Sequence, residues 1–292
     1  MVRLNNGIAL IQVLLIVAVL SIFGMYVTAK VKSDVSVALL SQDNAKGFLT
    51  LKSVESELLF ALLTQEKRVV HEHTNVYVRN WNFFGQPFYI DENIAIRIQD
   101  HAGLLHVKEL ASSHFQPLLR ALGYSNERGI VIEQSLLDWQ DTDTLARLQG
   151  AEAQDYVVGP RNGNIYLREE LALVQGIDNS VYDLLANVVT VYPKKHFNPT
   201  TAPQFVLASY VGDNIAREVV SARANGGLDK VSFESLTGMQ ETIDTVFAPS
   251  TTMTIRIDVN VDKVNVSKEM IVDVNPYATG RHSPLNYFEV KW

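Results

Sequence analysis

The sequence predicts an α+β protein: a long N-terminal helix packed on an antiparallel sheet, with a large all-helical insertion interrupting that sheet. Three observations carry this reading. An apolar run of about twenty residues near the start passes directly into an amphipathic stretch. Segments that alternate apolar and polar side chains, the period of a half-buried strand, occur both before and after the middle of the chain. Between them the apolar period becomes helical and is punctuated by glycines in stop positions.

The apolar run is Ile8 to Val27, uncharged and interrupted in polarity only by Gln12 and Ser21. At ~1.5 Å rise per residue it is long enough to cross a ~30 Å hydrocarbon layer. Arg3 is the one charge before it, and Lys30 and Lys32 follow. Three readings compete. A cleaved secretory signal has a shorter core and a small-x-small site, for which MYVTAK is a poor substitute. A plain membrane anchor satisfies the hydropathy. The third reading rests on the order of the parts: a short basic leader ends in Gly7, and the apolar run begins at Ile8. Beyond it Leu40, Phe48, Leu51, Leu58 and Leu62 recur at roughly helical spacing, so one helix over residues 8–65 is expected. The alternative is two helices broken at Gly24 or Gly47.

Val76–Val78 and Phe88–Ile98 read as strands, the latter on the alternation of Ile94, Ile96 and Ile98, with a turn at Asp100–Gly103. Helices are then expected over Val107–Leu122, Ile130–Leu137, Arg168–Val174, Val181–Val189, Pro203–Val211 and Asn214–Ala224. Gly226 and Gly227 read as a turn. Past Pro249 three alternating runs, led by Met253–Val261, Met270–Val274 and Phe288–Trp292, read as a meander with one buried face. The resulting division is a leader at 1–7, a spine helix at 8–65, a β domain from 66–104 with 246–292, and a helical insertion at 105–245.

Composition narrows the function. A formal net charge of −7 argues against nucleic acid as a partner. The absence of cysteine excludes disulfides, thiolate metal sites and cysteine nucleophiles. No nucleophile elbow, zinc-protease helix or phosphate-cradling glycine loop occurs. His71-Glu72-His73 offers two metal ligands without a third and reads as a solvated loop. The aromatics from Trp81 to Phe84 are expected to be buried against the spine. Asp138, Asp141, Asp143, Glu152 and Asp155 cluster in sequence, with Arg147 the one basic residue among them. Hard oxygens so grouped suit calcium, but the spacing is not an EF-hand: Leu145 and Ala146 stand where an oxygen ligand and a glycine are needed. A solvated acidic loop with helix-capping aspartates is the other reading. Trp139 beside the acids is expected to anchor the loop in a core.

The leader with Gly7 before the apolar run resembles the class III leader of type IV pilins and type II secretion pseudopilins. The stretches LLDWQDTD, GAEAQDY and LREELALVQG between Leu136 and Gly176, with Asn198–Pro203, resemble the protein K family of the type II secretion system. The resemblance implies a pilin-like fold and cleavage by a prepilin peptidase between Gly7 and Ile8, with methylation of the new N-terminus. The fifth residue of such a mature chain is normally glutamate. Here it is Gln12, and protein K is the member of the type II system that lacks this glutamate; an amide cannot cancel the buried amine of a neighbouring subunit.

The implied role is a minor pseudopilin at the tip of the pseudopilus, without catalysis, held in the inner membrane with its body in the periplasm. Implied partners are minor pseudopilins of I, J and H type, the major pseudopilin G, the inner-membrane assembly platform and secreted proteins. Partner helices would pack on the amphipathic half of the spine, at residues such as Phe48 and Leu58. The resemblance also implies calcium, held by Asp138, Asp141, Asp143, Glu152 and Asp155. Relatives often carry an acid after the glutamate where this chain has Ala153, which bears on the ligand count. The rival functions are a membrane-anchored periplasmic calcium-dependent enzyme and a minor type IV pilin.

Overall fold

The computed structural model describes residues 6–68, 70, 72–108, 114–226, 228–280 and 282–292. Most of the expected leader, His71, residues 109–113 of the expected helix Val107–Leu122, and Gly227 lie outside the described residues.

Helix α1 runs unbroken over Asn6–Thr64, through both Gly24 and Gly47, with Gly7 and Ile8 in its first turn. From Ala9 to Gln42 every residue is exposed, Gln12 included. These 34 residues span about 50 Å of helix and are left uncovered by the described residues. The C-terminal part is different. Leu51, Val54, Glu55, Leu58 and Leu62 recur at three- and four-residue steps and are all buried. Leu58 is therefore covered by the chain's own sheet and is not open to a partner, contrary to expectation. Phe48 stays half exposed and stacks on Trp292 at 5.4 Å.

The sheet that receives α1 has five antiparallel strands: β1 (Phe88–Asp91), β2 (Ile94–Asp100), β5 (Thr252–Val261), β6 (Val264–Val274) and β7 (Leu285–Lys291), in the order β1-β2-β5-β6-β7. Its α1-facing side carries Ile96, Ile98, Ile255, Ile257, Met270 and Val272, each at most 1% exposed. Each such side chain contributes about 1.5–3 kcal/mol relative to exposure. Gly47 lets the helix approach: a Cβ there would stand 2.8 Å from Val266 Cγ2 on β6. One charged contact crosses this interface, between buried Lys268 Nζ and Glu55 Oε1 at 2.6 Å. The expected strand at Val76–Val78 is helix α2 (Val76–Asn80); Asn75 Oδ1 accepts from the Tyr77 and Val78 N–H groups and so caps it. Trp81 and Phe83 join this core, while Phe84 remains partly exposed.

After β2 the chain leaves the sheet and builds a second core. It is formed by α3 (Phe115–Ala121), α4 (Asn126–Gln140), α5 (Asn179–Leu185), α6 (Gln204–Val211), α7 (Asp213–Ala224) and α8 (Lys230–Thr237), together with a short parallel pair, β3 (Leu105–His106) with β4 (Val189–Thr190). Three expectations are corrected. Val107 lies next to β3, and the described helix there begins only at Phe115. Arg168–Leu173 is a 3-10 helix rather than an α-helix. The helix expected over Val181–Val189 ends at Leu185, and Val189 belongs to β4.

The two cores meet at Asp100, which is fully buried at the end of β2. Its Oδ1 accepts from Ala102 N, Ser250 N and Ser250 Oγ. Its Oδ2 accepts from Asn198 Nδ2 and Thr201 Oγ1. The Asn198–Pro203 stretch is thus a corner wrapped on one carboxylate. Beside it buried His101 sits between the hydroxyls of Thr190 and Thr254, at 2.7 and 2.8 Å.

Candidate metal centre

The acidic cluster forms where α4 ends. Asp138 lies in the last turn of α4 and is fully buried, and Asp141 is its C-cap. The chain then loops outward and returns through Gly150, Ala151 and Glu152, the last two fully buried. Gly150 is required by closeness: a Cβ would fall 1.8 Å from Asp138 Oδ2. The loop is pinned from below by Trp139. Its indole Nε1 donates to Glu170 Oε1 at 3.2 Å, and its ring meets Tyr156 edge-on at 5.0 Å. Gly159, at φ +119°, lies flat against that ring, where a Cβ would be 2.4 Å from it. Glu170 in turn is clamped by Arg161, whose Nη2 donates at 2.6 Å. Arg161 and Glu170 belong to the site's support, although their spacing in sequence carried no such signal beyond the LREEL stretch.

The five predicted acids take three different roles. Asp141, Asp143 and Glu152 converge, each placing a carboxylate oxygen within 4.8 Å of the others. Asp138 does not join them. Its carboxylate accepts from the Arg147 backbone N–H at 3.0 Å and from the Arg147 guanidinium, which also donates to Asp141. Asp155 accepts from Glu152 N at 3.0 Å and holds the loop from outside. Arg147 therefore supplies one positive charge to Asp138 and Asp141 and leaves Asp143 and Glu152 without one.

The electrostatics single out Glu152. Both its oxygens and Oδ1 of Asp141 are buried and meet no side-chain donor, the Glu152 carboxylate facing only main-chain N–H groups of its own 3-10 turn. Burial, followed by the charges of Asp141 and Asp138, holds the Glu152 carboxyl above its ordinary range. Buried acceptors left unpaired are costly unless a cation or donor meets them. The converging groups are all hard oxygens, which suits calcium rather than zinc.

Residues 95–194, which include this loop, match the family described as type II secretion system (T2SS), protein K. On this match about a third of the chain is similar to protein K of the type II secretion system. The fold agrees. A chain in the crystal structure of the GspK-GspI-GspJ complex from the enterotoxigenic Escherichia coli type 2 secretion system superposes with a TM-score of 0.55 at 18% identity, covering 86% of this chain and 97% of that one. The long helix on an antiparallel sheet is thus the pilin-like arrangement, with the helical insertion added to it. No curated protein matches the chain.

Proposed function

We propose that this protein K-like chain is a minor pseudopilin that sits at the tip of the type II secretion pseudopilus, nucleates its assembly and helps export folded proteins across the outer membrane. The observation that carries the reading is α1. Its first half, long and apolar enough to cross a membrane, projects uncovered from the body, while its second half is packed on the sheet. Such a helix is an anchor before assembly and a packing surface after it. The tip position follows from two features. Gln12 offers no charge to a subunit above it, and the helical insertion adds bulk that a continuous shaft would have to accommodate.

In this reading the prepilin peptidase cuts between Gly7 and Ile8, and the body lies in the periplasm beside the inner-membrane assembly platform. The partners are I- and J-type minor pseudopilins, with H-type and the major pseudopilin G below them, and the secreted proteins. The similar chain described above was solved within a GspK-GspI-GspJ complex. The role is structural rather than catalytic. The deciding experiment is co-expression with I- and J-type pseudopilins from the same source. A stable ternary complex is expected by size-exclusion chromatography with light scattering; a chain that elutes alone at micromolar concentration would refute the assignment.

The same reading includes a calcium ion held by Asp141, Asp143 and Glu152, with Asp138 and Asp155 as supports of the loop. The ion would supply the counter-charge that Arg147 does not. Binding to the native state alone stabilises a fold by about 2.7 kcal/mol at a hundredfold excess over Kd. Calorimetric titration should detect binding, and chelator should lower Tm. Asp141→Asn combined with Asp143→Asn should make Tm indifferent to chelator. If the wild-type melt is itself unmoved by calcium and by chelator, the loop is a solvated turn.

A further inference from the structure

A second polar site lies away from the acidic loop, in the cleft where the helical insertion meets the base of the sheet. The cleft encloses about 810 Å³, within the usual range for ligand sites. Its walls carry Lys67 and Arg68, just past α1, Arg223 on α7 and Lys230 on α8, with the rings of Phe84 and Phe247 between them. The acid on the same wall, Asp229, is turned to the Ser232 N–H as the cap of α8. Four cations in one cleft stand out in a chain of net charge −7.

Arg223 is the unusual member. It is 9% exposed, and its Nη1 and Nη2 donate at 2.6 Å to the carbonyls of Ala202 and Pro199. Its Nε is buried without a partner, and its guanidinium lies 5.5 Å from the centre of the Phe84 ring. The hydrogen bonds of Lys67 likewise go to carbonyls, of Ser250 at 2.9 Å and Val274 at 3.3 Å. Main-chain carbonyls orient Arg223 but do not neutralise it, and burial alone lowers it to about 10, whereas Lys67 also feels the charges of Asp100 and Asp273. Arg68 and Lys230 pair with Glu66 and Glu241 at the exposed rim, where an arriving acid can displace such contacts at little cost.

We propose that this cleft binds a carboxylate-bearing peptide segment of another protein, with acids meeting the cations and an apolar side chain lying between Phe84 and Phe247. A peptide fits better than a small anion because the cations are spread over a volume far larger than phosphate and are separated by aromatic faces.

The test uses the full chain in detergent and a short fluorescent peptide alternating glutamate with leucine, read by anisotropy. The same peptide with glutamine for glutamate is the control, and inorganic phosphate is the competitor. The acidic peptide should bind, weaken as salt rises, and lose about tenfold in affinity, or roughly 1.4 kcal/mol, in the Arg68→Gln/Lys230→Gln variant. Both substituted residues are on the rim, so Tm should be unchanged. Arg223→Lys, which keeps the charge but not the paired donors, should weaken binding less than Arg223→Met. Equal binding of the glutamine peptide, or undiminished binding to the rim variant, overturns the proposal. Displacement of the peptide by millimolar phosphate would make the cleft a small-anion site and overturn the peptide as its occupant.

Discussion

Gly150 and Glu152 show how narrow the tolerances of the acidic loop are. A methyl group at 150 would overlap the Asp138 carboxylate and push it from the Arg147 backbone N–H. Gly150→Ala should therefore destabilise the body by about 1–3 kcal/mol, as overpacked sites do, measured by urea unfolding. The pH response follows from Glu152. Its folded-state pKa is raised above 4.5, so without a bound cation the native state holds its proton longer than the unfolded chain. Stability is then fullest below about pH 4.5 and is lost as pH rises through the folded pKa. Chelated protein should show this loss and Glu152→Gln should not. Saturating calcium should remove the loss by favouring the ionised form. His101 has the opposite slope. Burial, aided by the Arg168 charge, lowers it from 6.5 to about 3, so the fold keeps it neutral while the unfolded chain takes up a proton. Stability is complete above pH 6.5 and falls as pH drops toward 3, by up to about 1.4 kcal/mol per unit. His101→Gln should flatten that limb of the pH–Tm curve.

Among the elements, the seam between α1 and β6 holds a buried ion pair. Glu55 and Lys268 are 6% and 4% exposed, and Glu55 also pairs with Lys52 at 3.0 Å, so removing Glu55 strands the buried Lys268 ammonium, whereas removing Lys268 leaves Glu55 one cation. Glu55→Ala should cost about 3–5 kcal/mol, and Glu55→Leu with Lys268→Met should recover most of it. A double-mutant cycle by chemical denaturation measures the difference.

How far each element could be read from the sequence depended on period and length. Helix α1 and strands β5, β6 and β7 announce themselves because each presents one buried face over many residues. Strands β1 and β2 merge into one run because the turn at Glu92 and Asn93 lacks glycine and proline. The Val76–Asn80 segment looks like a strand by composition, and the cap from Asn75 overrides that. Helix α8 escaped notice although its cap, Asp229, and its left-handed terminator, Gly238 at φ +70°, are both legible signals. In the acidic loop the residue types were readable. Their sorting into a converging three, an arginine-paired one and a loop brace was not, because it depends on which way a loop folds back.

At the scale of the whole molecule, a cleaved and assembled subunit should begin at a methylated Ile8, as mass spectrometry of membrane extracts can determine. An intact Met1 in cells containing the peptidase would contradict the pseudopilin role. The two cores share Asp100, whose hydrogen bonds reach Ala102, Asn198, Thr201 and Ser250. They should therefore unfold together, and Asp100→Ala should split one calorimetric transition into two.

The register at that junction has a consequence for how such a chain is put together. Asp100 stands opposite Met253, so the chain returns to the sheet beside the point where it left. In terms of topology, everything between them is the loop of a single β-hairpin, and the five strands are a plain meander in sequence order. The entropy of closing a loop grows only with the logarithm of its length, so enlarging a turn into a folded body adds little closure cost at the junction. The small sheet-and-spine protein inside this one is therefore complete without its largest part. Replacing residues 101–251 with an Asn-Gly turn should leave a folded, shorter subunit that keeps the α1 seam and lacks the acidic loop and the basic cleft. Circular dichroism and a cooperative melt would establish that it folds.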